Sequence, residues 1–214
     1  MNTLTERRDI MIRDHLQGRG IRDPAVLRAM REVPREAFVD ERFRLQAYDD
    51  RPLPIEDGQT ISQPYIVAYM TEALELTATD RVLEIGTGSG YAAAILSKIV
   101  AVVHSVERLP GLALTARNRF EKLGYTNIIV HEGDGTLGWP DHAPYDAIVV
   151  TAGAPKLPQS LLDQLAIGGR LIIPVGKYTD LQVLIRARRV AEVDFSQEQL
   201  CGVRFVPLIG SEGW

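Results

Sequence analysis

Glu84, Gly86, Gly88 and Gly90 alternate through the segment Val82-Leu83-Glu84-Ile85-Gly86-Thr87-Gly88-Ser89-Gly90-Tyr91. An acid and three glycines in this spacing suit the binding of a cofactor that carries a nucleoside. Residues 81–85 are a short, largely apolar run of the kind that makes a central parallel strand, and residues 91–100 are apolar, helix-forming and unbroken. The glycines therefore form the turn between strand and helix. Lacking Cβ atoms, they can take φ > 0 and let backbone N–H groups approach a ligand at the helix N-terminus. A dinucleotide fingerprint needs G-x-G-x-x-G. Here the third glycine comes one residue early and Tyr91 stands where the last small residue belongs, so NAD is disfavoured. The competing reading is a tight turn whose glycines serve packing alone.

Further acids and hydroxyls fall at the ends of later strand-like runs. The β-branched stretch 99–106 ends at Glu107, near the separation of about twenty residues at which a carboxylate reaches ribose hydroxyls in doubly wound folds. Glu107 could instead be solvated or pair with Arg108. Asp134, between Gly133 and Gly135, is a natural acceptor for an adenine amino group, although an Asx-turn would also use an Asp-Gly pair. Thr151 closes a fourth run, followed by Ala152-Gly153-Ala154. Upstream, Asp57-Gly58 signals a turn and Pro64 opens a helix as its first residue. Gln63 is then the N-cap and Ser62 lies one residue outside it, so helix capping is not the obvious use of the Ser62 hydroxyl. His104 and His131 fall within strands, His15 in a helix and His142 in a loop, and each reads as structural.

The elements that must position these groups follow from periodicity. Residues 3–16 form a helix with a gappy apolar face (Ile10, Ile12, Leu16) that stops at Gly18 and Gly20, and Asp23-Pro24 starts another that carries Val26, Leu27, Met30 and Val33. Residues 35–48 hold one or two short helical turns with Phe38 and Phe43 as core anchors. A helix from Pro64 presents Ile66, Val67, Met70, Ala73 and Leu74 to the core. From Asp80, strands at 81–85, 99–106, 127–131 and 145–151 alternate with helices at 91–100 and 109–123. A helix at 158–165, ended by Gly168-Gly169, precedes a strand at 170–175. This order predicts an α/β, doubly wound, Rossmann-like sheet of about seven mostly parallel strands with helices on both faces. Runs 181–188 and 201–206 leave no room for a crossover helix between 175 and 181, so an antiparallel C-terminal edge is expected. Residues 203–207 read as an edge strand stopped by Pro207. We expect one domain over 1–214, with residues 1–76 as the helical part and substrate loop and 80–214 as the cofactor-binding core.

With 214 residues, 45% hydrophobic and 24% charged, the chain suits one sizeable core. A formal charge of −4 gives no global field for polyanions, and the Arg186, Arg188, Arg189 cluster reads as a solvated strand end, so no nucleic-acid partner is expected. Cys201 is the sole cysteine, which excludes an intrachain disulfide framework and a cysteine-rich zinc site. There is neither a signal-peptide apolar core nor an uninterrupted apolar stretch of about eighteen residues. A cytoplasmic protein that does not enter a membrane is the expectation.

The pattern Glu84-x-Gly86-x-Gly88-x-Gly90 resembles motif I of the class I S-adenosylmethionine-dependent methyltransferases. The segment Gly58-Gln59-Thr60-Ile61-Ser62-Gln63-Pro64-Tyr65 resembles the hallmark of the protein-L-isoaspartate O-methyltransferases, and Ser62 corresponds to that family's active-site serine. Further matches are Ser105-Val106-Glu107-Arg108, Gly133-Asp134-Gly135, residues 145–152 and 168–176, and the tail Val203-Arg204-Phe205-Val206-Pro207-Leu208. Gln63 departs from a small residue common in some branches, and the chain stops soon after Leu208, at Trp214. The resemblance implies methyl transfer from S-adenosylmethionine, leaving S-adenosylhomocysteine, to the free α-carboxylate of L-isoaspartyl residues, with D-aspartyl residues as a second substrate, in damaged peptides and proteins. It implies Ser62 as the catalytic residue. Around the cofactor it implies Thr60, Ile61, Gln63, Glu84, Gly86, Thr87, Gly88, Gly90, Glu107, Asp134, Gly135 and Thr151. Around the substrate it implies Thr60, Ile61, Ser62, Val203, Phe205 and Val206, with no metal and a monomeric enzyme. The fourth strand end lacks the Asn/Asp-Pro-Pro-aromatic tetrapeptide of base methyltransferases, and no oxygen-ligand cluster for a divalent metal is apparent. A class I methyltransferase for a small metabolite would share the cofactor residues, and a non-catalytic cofactor-binding module is the remaining alternative.

Overall fold

A computed structural model describes residues 3–178 and 181–214. Helix α1 (Leu4–Ile10) begins with Thr3 and Glu6 in a reciprocal capping box. It runs on not as α-helix but as a π-helical stretch (Met11–Leu16) and a 3₁₀ turn that ends at Gly20, φ 101°. The wider π register places Met11, Ile12 and Leu16 together in the core and leaves the expected Ile10 only half-buried. Helix α2 (Pro24–Glu32) starts as its sequence dictates: Asp23 accepts from the N–H groups of Ala25 and Val26, and Pro24 occupies the first turn. Two 3₁₀ turns follow (Arg35–Phe38, Glu41–Gln46), with Phe38 fully buried. Short strands β1 (Leu53–Pro54) and β2 (Thr60–Ile61) pair antiparallel and lead into α3 (Pro64–Ala73).

The main sheet is built from β3 (Arg81–Ile85), β4 (Val102–Glu107), β5 (Ile128–Glu132), β6 (Tyr145–Val150), β7 (Leu165–Tyr178), β8 (Leu181–Arg189) and β9 (Phe195–Val203), separated at the start by α4 (Tyr91–Ser97) and α5 (Pro110–Leu123) and before β7 by α6 (Gln159–Asp163). Its order is β5-β4-β3-β6-β7-β8-β9. The first five strands are parallel, while β7–β8 and β8–β9 are antiparallel, as the short connections require. Alternation along the strands feeds two cores. Val82, Val103, Ala147, Val149, Ile172 and Leu184 face a layer that includes α2, α3 and α4, whereas Leu83, Ile85, Val106, Ile148, Val150, Leu171 and Ile173 face α6 and Leu208. Each fully buried Leu, Ile or Val contributes about 1.5–3 kcal/mol, so both faces hold the sheet.

Three boundaries depart from the periodicity. The run 99–106 begins as strand only at Val102, because residues 99 and 100 close α4 through N–H bonds to Leu96. The helix expected to run to the Gly168-Gly169 pair ends at Asp163, and the strand expected from residue 170 begins already at Leu165 and passes through both glycines, with a shift of register against β6 where Gly168 takes φ 83°. The tail 203–207 is not an edge strand: β9 ends at Val203, and the chain turns inward to make a parallel bridge between Gly153 and Pro207. The sheet edge is β9 itself, which begins at Phe195.

Candidate active site

Strand β3 lies between β4 and β6, so the strand order reverses around it and a crevice opens beyond its carboxyl end. The glycine turn fills the edge of this crevice. Gly86, Gly88 and Gly90 all have positive φ, at 93°, 51° and 87°. At Gly86 a Cβ would strike the Thr151 hydroxyl, which donates to the carbonyls of Ile85 (3.0 Å) and Gly86 (2.8 Å) and so ties β6 to the turn. At Gly90 a Cβ would lie 2.6 Å from the Phe120 ring. Beneath the turn, the Ser105 hydroxyl bridges Thr87 (2.6 Å) and the fully buried carboxyl of Glu84. Burial pushes the Glu84 carboxyl up to about 8, with the Ser105 hydrogen bond opposing the rise and the Glu107 charge adding to it. The Glu107 carboxylate accepts from the N–H groups of Gly88 (2.9 Å) and Leu109 (3.0 Å), fixing the far side of the turn.

These groups bound a cavity of about 280 Å³. Of the residues expected around a cofactor, Thr60, Ile61, Gly86, Thr87, Gly88, Glu107, Gly135 and Thr151 line it. Glu84, Gly90, Asp134 and Gln63 do not. Glu84 lies beneath the turn, and Gly90 closes it against the Phe120 ring. Asp134 builds the Asx-turn: one oxygen accepts from the Thr136 N–H and hydroxyl, and the other from the Ser211 N–H at 2.8 Å. Burial pushes its carboxyl up, but these donors outweigh burial and hold it below the usual range. The C-terminal segment thus meets the cavity rim, where Leu208 and Ile209 join the lining, and Trp214 donates to the Gly153 carbonyl at 3.0 Å.

A second cavity, of about 490 Å³, adjoins the first. Thr60, Ser62, Thr151 and Val206 line both and form their common wall. Val203 and Phe205 line the second cavity, together with Gln63 and with Pro52, Ile66, Leu181, Gly202 and Arg204; none of these last five was expected at the site, and Ile66 was expected only as a core position of α3. Gln63 is the N-cap residue of α3 without capping through its side chain. Its amide instead donates to the Asp50 carboxylate (2.8 Å) and carbonyl (3.0 Å), while Asp50 also accepts from the Tyr65 N–H and pairs with Arg19. Ser62 is half-buried, and among the described residues its hydroxyl makes no hydrogen bond, while its carbonyl accepts from Arg35 at 2.7 Å. Arg35 and Asp50 left no mark in the sequence, and Ser105 enters there only as part of a matching segment, with no role. A charged residue in a short helical turn reads as solvated, and the facing of Glu84 and Ser105 depends on the β3–β4 register. Among the described residues no group of three or more His, Cys, Asp or Glu is placed to hold a metal ion.

The sequence profile of the protein-L-isoaspartate(D-aspartate) O-methyltransferase family matches residues 6–213. The chain belongs to this family. It is 72% identical over 208 residues to protein-L-isoaspartate O-methyltransferase 2 of Pelobacter propionicus, an alignment that covers 97% of this chain and 92% of that one. A solved protein-L-isoaspartate O-methyltransferase superposes with a TM-score of 0.88 at 32% identity, over 96% of this chain and 67% of the other. A second solved structure, from Plasmodium falciparum and described as a putative protein-L-isoaspartate O-methyltransferase in complex with S-adenosyl-L-homocysteine, gives a TM-score of 0.80 at 27% identity and covers 98% and 99% of the two chains.

Proposed function

We propose that the chain transfers a methyl group from S-adenosylmethionine to the α-carboxylate of L-isoaspartyl residues in peptides and proteins, across the wall that its two cavities share. The observation that carries this reading is the position of Ser62, which lines both cavities and whose hydroxyl has no hydrogen-bond partner among the described residues. The first cavity fits an adenosyl cofactor. Its floor is a glycine turn that Thr151 and Phe120 would deny to any Cβ, and the acid Glu107 sits on its side. Gly86, Thr87, Gly88, Glu107 and Gly135 would hold the group, with Thr60 and Ile61 over it. When bound, the cofactor supplies an electrophilic methyl group on a sulfonium sulfur.

The residues of the chain have little proton chemistry to perform. An α-carboxylate with an ordinary pKa near about 3.5 is already an anion at neutral pH and needs no general base. What it needs is alignment and exclusion of water. Ser62 can donate one neutral hydrogen bond to that carboxylate, which orients it without the strong ground-state stabilisation that a Lys or Arg would impose. The second cavity, lined by residues 202–206, receives the peptide. Methylation turns the carboxylate into an ester that the following peptide nitrogen can displace, giving a succinimide that hydrolyses partly to normal aspartate.

We extend the reading to one catalytic unit over the whole chain, monomeric and cytoplasmic, acting on peptides and not on nucleic acids. A single apolar cluster that runs from Met11 to Leu184 supports the first point, and the formal charge of −4 the last. No helix among the described residues is long and apolar enough to cross a membrane. The test is transfer of labelled methyl from S-adenosylmethionine to an isoaspartyl peptide and to its aspartyl twin. We expect a base-labile ester on the first alone. Labelling of both peptides, or of a small metabolite in their place, would overturn the assignment.

A further inference from the structure

Arg35 is fully buried and lines neither cavity. A guanidinium taken out of water without a carboxylate is costly, and none of the ion pairs among the described residues includes Arg35. Its Nη1 has no hydrogen-bond partner among the described residues. Burial accordingly pushes its pKa down. A hydrophobic side chain would fill this space at lower cost, so packing alone does not account for the charge.

The remaining contacts of Arg35 define what the charge does. Nε donates to the Ala47 carbonyl and Nη2 to the Ser62 carbonyl, each at 2.7 Å. The guanidinium carbon lies 4.7 Å from the centre of the Tyr91 ring, a cation–π distance. Tyr91 is the first residue of α4, directly after the glycine turn, and it lines the first cavity. One rigid fork therefore touches the segment that carries Ser62 and the helix that carries the glycine turn, and these elements have no covalent connection shorter than the chain from 62 to 91. A planar fork fixes both directions at once, which a lysine ammonium on a flexible stem does not.

We propose that Arg35 is a positioning residue for methyl transfer: it holds the Ser62 backbone at a set place relative to the glycine turn, so that the Ser62 hydroxyl faces the first cavity. This rests on the isoaspartyl methyltransferase reading above. Because Arg35 acts through Ser62, the two residues should be coupled.

The experiment is a double-mutant cycle of Arg35→Lys and Ser62→Ala, with kcat and KM measured on an isoaspartyl peptide and the dissociation constant of S-adenosylhomocysteine measured by calorimetry. We expect Arg35→Lys to lower kcat by about ten- to a hundredfold, the range for lost alignment, with cofactor-product affinity within about threefold of wild type. In the Ser62→Ala background the same change should cost less than about threefold, because the group it positions is gone. Equal losses in both backgrounds would show a general structural role and overturn the proposal, as would unchanged turnover in Arg35→Lys. Should that variant fail to fold, Arg35→Met, which keeps an apolar stem of similar length, takes its place in the cycle. Failure of both to fold would also overturn it, by assigning Arg35 to folding. A wild-type protein that binds S-adenosylhomocysteine but leaves the isoaspartyl peptide unmethylated overturns the functional reading itself, and the inference with it.

Discussion

Ser62 and Glu84 carry the sharpest consequences among single residues. A serine that caps a helix loses about 0.5–2 kcal/mol of stability when changed to alanine, with no effect on chemistry in the folded protein. Ser62 makes no such cap. We therefore expect Ser62→Ala to keep its melting temperature and its affinity for S-adenosylhomocysteine while turnover on a saturating isoaspartyl peptide falls by about ten- to a thousandfold. Full turnover with a lowered melting temperature would mean that alignment comes from the backbone of residues 60–63. Glu84 gives a pH-dependent signature. Its carboxyl titrates near 8 in the folded protein, above its ordinary value, because burial disfavours the anion. Between about pH 4.5 and 8 the folded state thus holds a proton that the unfolded chain has released, and stability must decline as pH rises through that window. Glu84→Gln keeps the shape and removes the titration, so its melting temperature should fall less than that of wild type from pH 5 to pH 8. Parallel curves for the two proteins would show that Glu84 is already ionised in the folded state.

At the scale of elements, the C-terminal segment is where local rules and tertiary contacts part. The sequence around Asp134 suits an adenine acceptor or an Asx-turn, and its bonds to Thr136 and Ser211 make it the joint between the turn after β5 and the tail. Asp134→Ala removes three hydrogen bonds at a carboxylate. It should lower stability by about 1–3 kcal/mol and loosen the tail, which exchanges its amide hydrogens faster at Ser211 and Glu212. If calorimetry instead shows a loss of cofactor-product affinity with unchanged melting temperature, the carboxylate serves adenine first. Elements with strong local signals were legible: Asp23-Pro24 at the start of α2, Pro64 at the start of α3, and the alternating glycines before α4. The start of β9 was not, because Ser196 to Gln199 are exposed on a sheet edge and carry no apolar alternation. Nor was the passage of β7 through Gly168-Gly169, since a shifted register absorbs residues that normally end an element. The groups that hold the Ser62-Gln63 segment were hidden for a related reason. Arg35 and Asp50 act across the fold, at sequence separations of 27 and 13 from the residues they hold.

For the molecule as a whole, the doubly wound order was readable from the alternation of strands and helices, and it decides where chemistry can occur. The strand order reverses at β3, and the first cavity opens there between the ends of β3, β4 and β6. The helical N-terminal part then delivers Ser62 to the rim through β2 and α3, while the inward turn after β9 delivers Val206 from the opposite side. Two separate stretches of chain thus meet at one wall, with a space on each side of it. The most direct measurement is a crystal structure with S-adenosylhomocysteine and an isoaspartyl peptide bound together. The expected result has the cofactor product in the cavity of the glycine turn, the peptide in the neighbouring cavity along residues 202–206, and the isoaspartyl carboxylate beside the Ser62 hydroxyl, facing the sulfur across Thr60, Thr151 and Val206. A peptide bound away from this wall, or a carboxylate held by other groups with Ser62 turned from it, would contradict the proposal that methyl transfer takes place there.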